Sequence, residues 1–145
     1  MNAKMKYAMK FEPIKLSMTS HPENLKRIRL VMRDIMVKTG LSKKESGFIV
    51  LAIDEACSNI IRHGYKNDFH RKIDLTVRLE KNLLNISIID NGIRFDETLI
   101  ETRDIHEIKP GGLGIYIIRQ VMDSVEYSRT QEGFNRIQMV KKLNL

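Results

Sequence analysis

Asp90 ends the alternating run Leu84, Ile86, Ile88, and a period of two puts its carboxylate on the row that those residues turn toward the core. A carboxylate aimed inward needs a donor, because burying it unsatisfied is costly. A ligand amino group, such as the exocyclic amine of adenine, would supply one. Asp90-Asn91-Gly92 is equally an ordinary strand-ending turn capped by its own aspartate, and both readings stand at this point. A second stretch, Gly111-Gly112-Leu113-Gly114, opens a helix, where backbone N–H groups and the positive end of the helix dipole are available to a phosphate. A flexible hinge has the same composition. The stretch lacks the Gly-Lys-Ser/Thr ending of a Walker loop, and no strand runs directly into it as the dinucleotide-binding pattern requires. In a third stretch, Glu55 and Asn59 stand four residues apart on one helix face, and Arg62 and His63 continue that edge. Solvated helix faces carry such pairs routinely, so the spacing by itself assigns them no chemistry.

The elements that must position these residues are legible in the periodicity. The segment from Tyr7 to Met18 contains Pro13 and reads as an edge strand or extended arm. Ser20 followed by Glu23 fits a capping box, Pro22 suits a first helical turn, and Leu25, Ile28, Val31, Met32, Ile35 and Met36 recur at helical spacing up to Gly40. A second helix is predicted from Ser42 to His63, with Phe48, Ile49, Ala52, Ile53, Ala56 and Ile60 as its apolar stripe and Gly64 as its stop. The alternation of Ile73, Leu75, Val77 and Leu79, the Lys81-Asn82 turn, and Leu84, Ile86 and Ile88 predict a hairpin. From Asn91 to Gly112 periodicity gives way to a long loop of the kind that serves as a lid. A short helix from Leu113 to Met122 and a closing hairpin, Ser124 to Thr130 and Asn135 to Leu143, complete the chain. This order predicts an α+β two-layer sandwich with a mixed, mostly antiparallel sheet and helices on one face, in a single domain over residues 1–145.

Composition narrows the function classes. With 42% hydrophobic and 30% charged residues, the chain has the balance of a soluble globular protein. No apolar run reaches the roughly 18 residues of a membrane span, and the start MNAKMKYAMKFEP lacks a signal peptide's apolar segment, so a cytoplasmic protein without membrane contact is expected. The lone Cys57 can close no internal disulfide and reads as core filler. The net charge of +7 is spread among acids along the chain, a pattern that does not favour direct nucleic-acid binding and suits a phosphorylated ligand or an acidic protein partner. Arg27, Arg29 and Arg33 on the first helix are candidate partner contacts on a face that is otherwise solvated.

Taken in order, the three stretches resemble the GHKL (Bergerat-fold) ATPase superfamily over nearly the whole chain. Glu55-Ala56-Cys57-Ser58-Asn59 is similar to its N box, Asp90-Asn91-Gly92-Ile93-Arg94-Phe95-Asp96 to its first glycine box, and Gly111-Gly112-Leu113-Gly114 to its second. Within the superfamily, LAIDEACSNIIRHGY, DNGIRFD and GGLGIYIIRQVMDSVEY resemble the anti-sigma-factor serine/threonine kinases of the RsbW type. The short lid, and the lack of a phosphoacceptor-histidine helix or of gyrase- and chaperone-type additions, separate the sequence from the other branches.

The resemblance implies ATP and Mg²⁺ as cofactors and gives each residue an expected role. Asn59 would bind Mg²⁺ through its amide oxygen, and Arg62 would face the phosphates. Gly111, Gly112, Leu113 and Gly114 would receive the phosphates as a lid from Ile93 to Pro110 closes. Asp90 would hold adenine, with Gly92 packed close to the base and Phe95 in the same box. Glu55 would act as general base toward a substrate hydroxyl. The implied partners are a sigma factor and a STAS-domain antagonist that carries the phosphorylated serine or threonine, and the implied assembly is a homodimer. Alternatives are an ATP-binding module that sequesters a partner with little phosphotransfer, and a detached histidine-kinase catalytic domain. Two departures stand out. Arg94 replaces the second glycine of the first glycine box, and Asn135-Arg136 occupy the place where many relatives carry a threonine near adenine. That position has no assigned role from sequence.

Overall fold

The computed structural model describes residues 10–94 and 112–144. Strand β1 (Lys10–Thr19) leads into helix α1 (Asn24–Thr39) and helix α2 (Lys43–Asn59), which continues into a π-helical turn (Ile60–Gly64). Strands β2 (Lys72–Glu80) and β3 (Leu83–Asp90), helix α3 (Gly112–Val121), and strands β4 (Ser124–Arg129) and β5 (Asn135–Lys142) follow. The sheet order is β1-β2-β3-β5-β4, and every neighbouring pair is antiparallel. The α+β sandwich expected from the sequence is therefore present, and among the described residues all of its strand pairs are antiparallel.

The sheet is built by alternation. Ile73, Leu75, Val77 and Leu79 on β2 and Leu84, Ile86, Ile88 and Asp90 on β3 are all buried, while the residues between them are not. Side chains of opposite parity face opposite sides of a strand, so this row is the floor on which the helices sit. Ile28, Met32, Ile35 and Met36 of α1, Ile49, Ala52, Ile53 and Ala56 of α2, and Ile118 of α3 close the core over it. Burying an isoleucine or leucine of this kind stabilises by about 1.5–3 kcal/mol. Lys81 and Asn82, both at positive φ (50° and 63°), form the β2–β3 connection, the geometry that matches hairpin twist. The edge strand β1 shifts register between Phe11 and Ile14, around Pro13, as expected for proline on an edge.

Three local expectations change. Ser20 does not cap α1. The residue before the helix is Glu23, whose side chain makes no capping bond. Ser20 is buried, donates from Oγ to the Asp68 carbonyl at 2.6 Å and accepts the Arg71 N–H at 3.0 Å. A long-range pair of bonds in the interior outcompetes a local cap at the solvent edge. Phe48, placed in the core stripe by periodicity, is 47% exposed, whereas its neighbour Ile49 is buried. Arg29 is not a free partner contact, since its Nη1 lies 3.0 Å from Asp54 Oδ1 and ties α1 to α2. By contrast, Gly40 ends α1 at φ 76° as its sequence suggests, and Ser42, at the predicted start of the second helix, caps α2 by accepting the Glu45 N–H at 3.1 Å.

Candidate functional site

The C-terminal end of α2, the end of β3, the start of β5 and the first turn of α3 converge on one side of the core. Two corners make up the site. At the first, Asp90 is only 8% exposed and points to the helix side of the sheet. Its Oδ1 accepts the Gly92 N–H at 2.8 Å and the Asn135 Nδ2 at 3.1 Å. The turn after it is held from both sides. The Asn91 N–H donates to Tyr65 Oη at 2.8 Å, and Arg71 Nη2 donates to the Asn91 carbonyl at 2.9 Å. Tyr65 Oη in turn donates to the Lys72 carbonyl, and the Arg71 guanidinium lies 4.9 Å from the centre of the Tyr65 ring.

Glycine is required in this corner by the chain's own backbone. A Cβ on Gly92 would lie 2.5 Å from the Gly64 carbonyl oxygen and 2.6 Å from its carbon. The adjoining Ile93 N–H donates to that same carbonyl at 2.8 Å. Gly64 ends the π-helical turn, closed by the Tyr65 N–H bond to the Ile60 carbonyl at 2.8 Å, and that turn carries Arg62 and His63. The widened turn thus joins the end of α2 to the Asp90 turn by backbone contact, and π-turns of this kind concentrate at functional sites.

At the second corner, Gly114 of α3 sits directly over α2. A Cβ there would overlap Glu55 Oε2, lie 3.3 Å from Glu55 Cδ and 3.6 Å from Asn59 Nδ2. The N-terminal turn of α3 is thereby placed against Glu55 and Asn59, with its unpaired N–H groups at the same end. Arg62 Nη2 approaches Asn59 Oδ1 at 3.4 Å. Glu55 makes no side-chain hydrogen bond among the described residues, and both Glu55 and Asn59 are half-buried.

Residues 18–141 match the family model described as a histidine kinase-like ATPase domain. The chain belongs to that family. Among its relatives are proteins named serine-protein kinase RsbW from Bacillus thuringiensis (strain Al Hakam) and Bacillus cereus (strain AH187), each 30% identical over 125 residues, covering 81% of this chain and 78% of the relative. It is a member of this RsbW-type branch. The fold is shared with the SiaB-SiaC complex structure from Pseudomonas aeruginosa (TM-score 0.66, 15% identity, 88% of each chain). It is also shared with the RsbU and RsbW domains of Rv1364c from Mycobacterium tuberculosis (TM-score 0.65, 16% identity, 92% of this chain and 32% of that one).

Within this histidine kinase-like ATPase domain, Glu55, Asn59, Arg62, Asp90, Gly92 and Gly114 fall in one region, as their boxes suggested. Gly112 and Leu113 belong to the first turn of α3. Phe95, Gly111 and most of the lid segment Ile93 to Pro110 lie outside the described residues. Both sequence readings of Asp90 describe the same residue: it faces inward and also caps its turn through Gly92 N–H. Tyr65, Arg71 and Asn135 were not singled out for roles here, and their contacts reach across the fold to residues 20 to 45 positions away.

The electrostatics under the site are set by burial. Cys57, two residues along α2 from Glu55 and fully buried, has its thiol pushed up to about 12, first by desolvation and then by the nearby carboxylates of Asp54 and Asp90. It stays a neutral, inert core residue. Burial also raises Tyr65, partly offset by the Asn91 N–H, so its hydroxyl remains protonated and able to donate to Lys72. Among the described residues no group of three acidic, histidine or cysteine side chains could hold a metal. The Asn59 amide oxygen suits Mg²⁺ as a single hard ligand, and the remaining oxygens of the octahedron would come from nucleotide and water. No helix among the described residues is long and apolar enough to cross a membrane.

Proposed function

We propose that this protein is an ATP-dependent serine/threonine kinase that acts as an anti-sigma factor. In this reading it binds a sigma factor and phosphorylates a STAS-type antagonist that competes for it, as a cytoplasmic homodimer. The observation that carries the reading is the placement of Glu55 and Asn59 directly beneath Gly114 at the start of α3, with Arg62 beside Asn59. The names of the relatives, serine-protein kinase, point the same way.

Each residue then has a chemical task. Asp90 accepts the exocyclic amine of adenine, a donor that its buried carboxylate can pair with. The N–H groups opening α3 and the Arg62 guanidinium receive the phosphates. Asn59 would hold Mg²⁺ through its amide oxygen, and the ion would supply charge neutralisation for the phosphates. Glu55 takes the proton from the substrate hydroxyl as its oxygen bonds to the γ-phosphorus and the bond to ADP breaks. Little else is asked of the protein, because phosphoryl transfer depends chiefly on alignment and charge neutralisation.

Purified protein and its Glu55→Gln variant, incubated with Mg²⁺ and γ-labelled ATP in lysate of the source organism, test this. The expected outcome is acid-stable labelling of a small protein by the wild type and its loss, by at least roughly a hundredfold, in the variant. Intact ATP binding with no labelling would point instead to a nucleotide-gated binding module, and acid-labile label to a histidine-kinase catalytic domain.

A further inference from the structure

Asn135 stands directly across from Asp90 in the β3–β5 ladder, on the core side of the sheet. Its Nδ2 donates twice, to Asp90 Oδ1 at 3.1 Å and to the Gly92 carbonyl at 2.9 Å. Both partners are acceptors, so the orientation of the amide is fixed by chemistry. The Gly92 N–H donates to the same Asp90 oxygen at 2.8 Å. Oδ1 is therefore held by two donors, and Oδ2 is the carboxylate oxygen outside these bonds. A carboxylate with one oxygen tied and one oxygen offered is a directional acceptor.

We infer that Asn135 is a specificity-determining positioning residue. By locking Asp90 Oδ1 it presents Oδ2 as a fixed acceptor, which makes the site select a base with an exocyclic amine and reject one with a carbonyl in that place. The inference rests on the reading of Asp90 as the base-recognising carboxylate. A keto base would set its own oxygen against Oδ2, leaving two acceptors face to face with no proton between them, and a site built to pair with a donor rejects analogues that lack it. Without Asn135, one of the two donors on Oδ1 is gone. The carboxylate then turns about its χ angles, and the discrimination relaxes.

Equilibrium titration of ATP and of inosine triphosphate, which carries a carbonyl where adenine has its amine, tests this on the full chain with two variants of matched shape. Asn135→Val and Asn135→Thr are both β-branched and suited to the start of a strand, and they differ in the hydroxyl donor. The wild type is expected to prefer ATP by at least about tenfold. Asn135→Val should lose most of that ratio through weaker ATP binding, with inosine triphosphate changed less than about twofold, and Asn135→Thr should keep the larger part of it. A ratio in Asn135→Val equal to that of the wild type, or parallel weakening of both nucleotides, overturns the inference and leaves the adenine reading intact. A wild type with no preference for ATP overturns the adenine reading itself.

Discussion

The two corners of the site are built to different tolerances. Around Asp90 four hydrogen bonds hold the turn: Oδ1 accepts from Gly92 and Asn135, the Asn91 N–H donates to Tyr65, and the Asn91 carbonyl accepts from Arg71. Around Glu55 and Asn59 the described contacts are a single 3.4 Å approach from Arg62 and the close passage of Gly114. Each corner has a critical glycine, and the atoms that it faces differ in kind. Gly92 abuts backbone, which cannot give way, and Gly114 abuts the tip of a flexible glutamate. The corner proposed for the base is preformed, whereas the corner proposed for the phosphates leaves its side chains to be set by what binds there. Rigid recognition next to adjustable chemistry suits an enzyme that must hold one partner while aligning a second.

The largest effect should come from Gly92→Ala. With its Cβ 2.5 Å and 2.6 Å from the Gly64 carbonyl oxygen and carbon, the turn and the π-helical end of α2 must part. A loss of about 3 kcal/mol in urea denaturation and loss of nucleotide binding are expected. Gly114→Ala separates the corners more sharply. Glu55 can swing aside, so stability should change by less than about 1 kcal/mol, while phosphotransfer falls roughly a hundredfold because the base is misplaced by an ångström or so. Labelling kinetics and a melt on the same sample decide it, and equal losses of stability in the two alanine variants would erase the contrast. Tyr65→Phe is the mildest. It removes the hydroxyl that joins the Asn91 N–H to the Lys72 carbonyl, at an expected cost of about 1–2 kcal/mol in denaturation and a few-fold in nucleotide affinity.

The sequence was informative where a residue's environment follows from its near neighbours. Period two alone turned Asp90 inward, the Gly40 stop is local chemistry, and the three boxes drew attention to Glu55, Asn59 and Gly114, which the fold brings within reach of each other. What it could not show was decided by distant pairings. Ser20 has the spacing of a cap and is instead bonded to residues 68 and 71, beyond the horizon of a helix signal. Asn135 acquires its role through the register that sets it opposite Asp90, 45 residues earlier, and no spacing rule within β5 contains that register. Phe48 shares the helical period of the core, yet it falls at the rim of α2, lining a cleft with Leu41, Val121 and Leu143. Periodicity fixes a face to within a residue or so, and a stripe has edges.

The buried thiol of Cys57 gives this molecule an internal clock. A sulfur with no exposed surface and an ionisation pushed up to about 12 reacts with alkylating or disulfide reagents only when the core opens around α2. The rate of its modification at neutral pH therefore reads the frequency of that opening, in the manner of a slowly exchanging amide. Because α2 carries Glu55 and Asn59, nucleotide or partner that clamps the helix should slow the clock, and the chain needs no added label to report it.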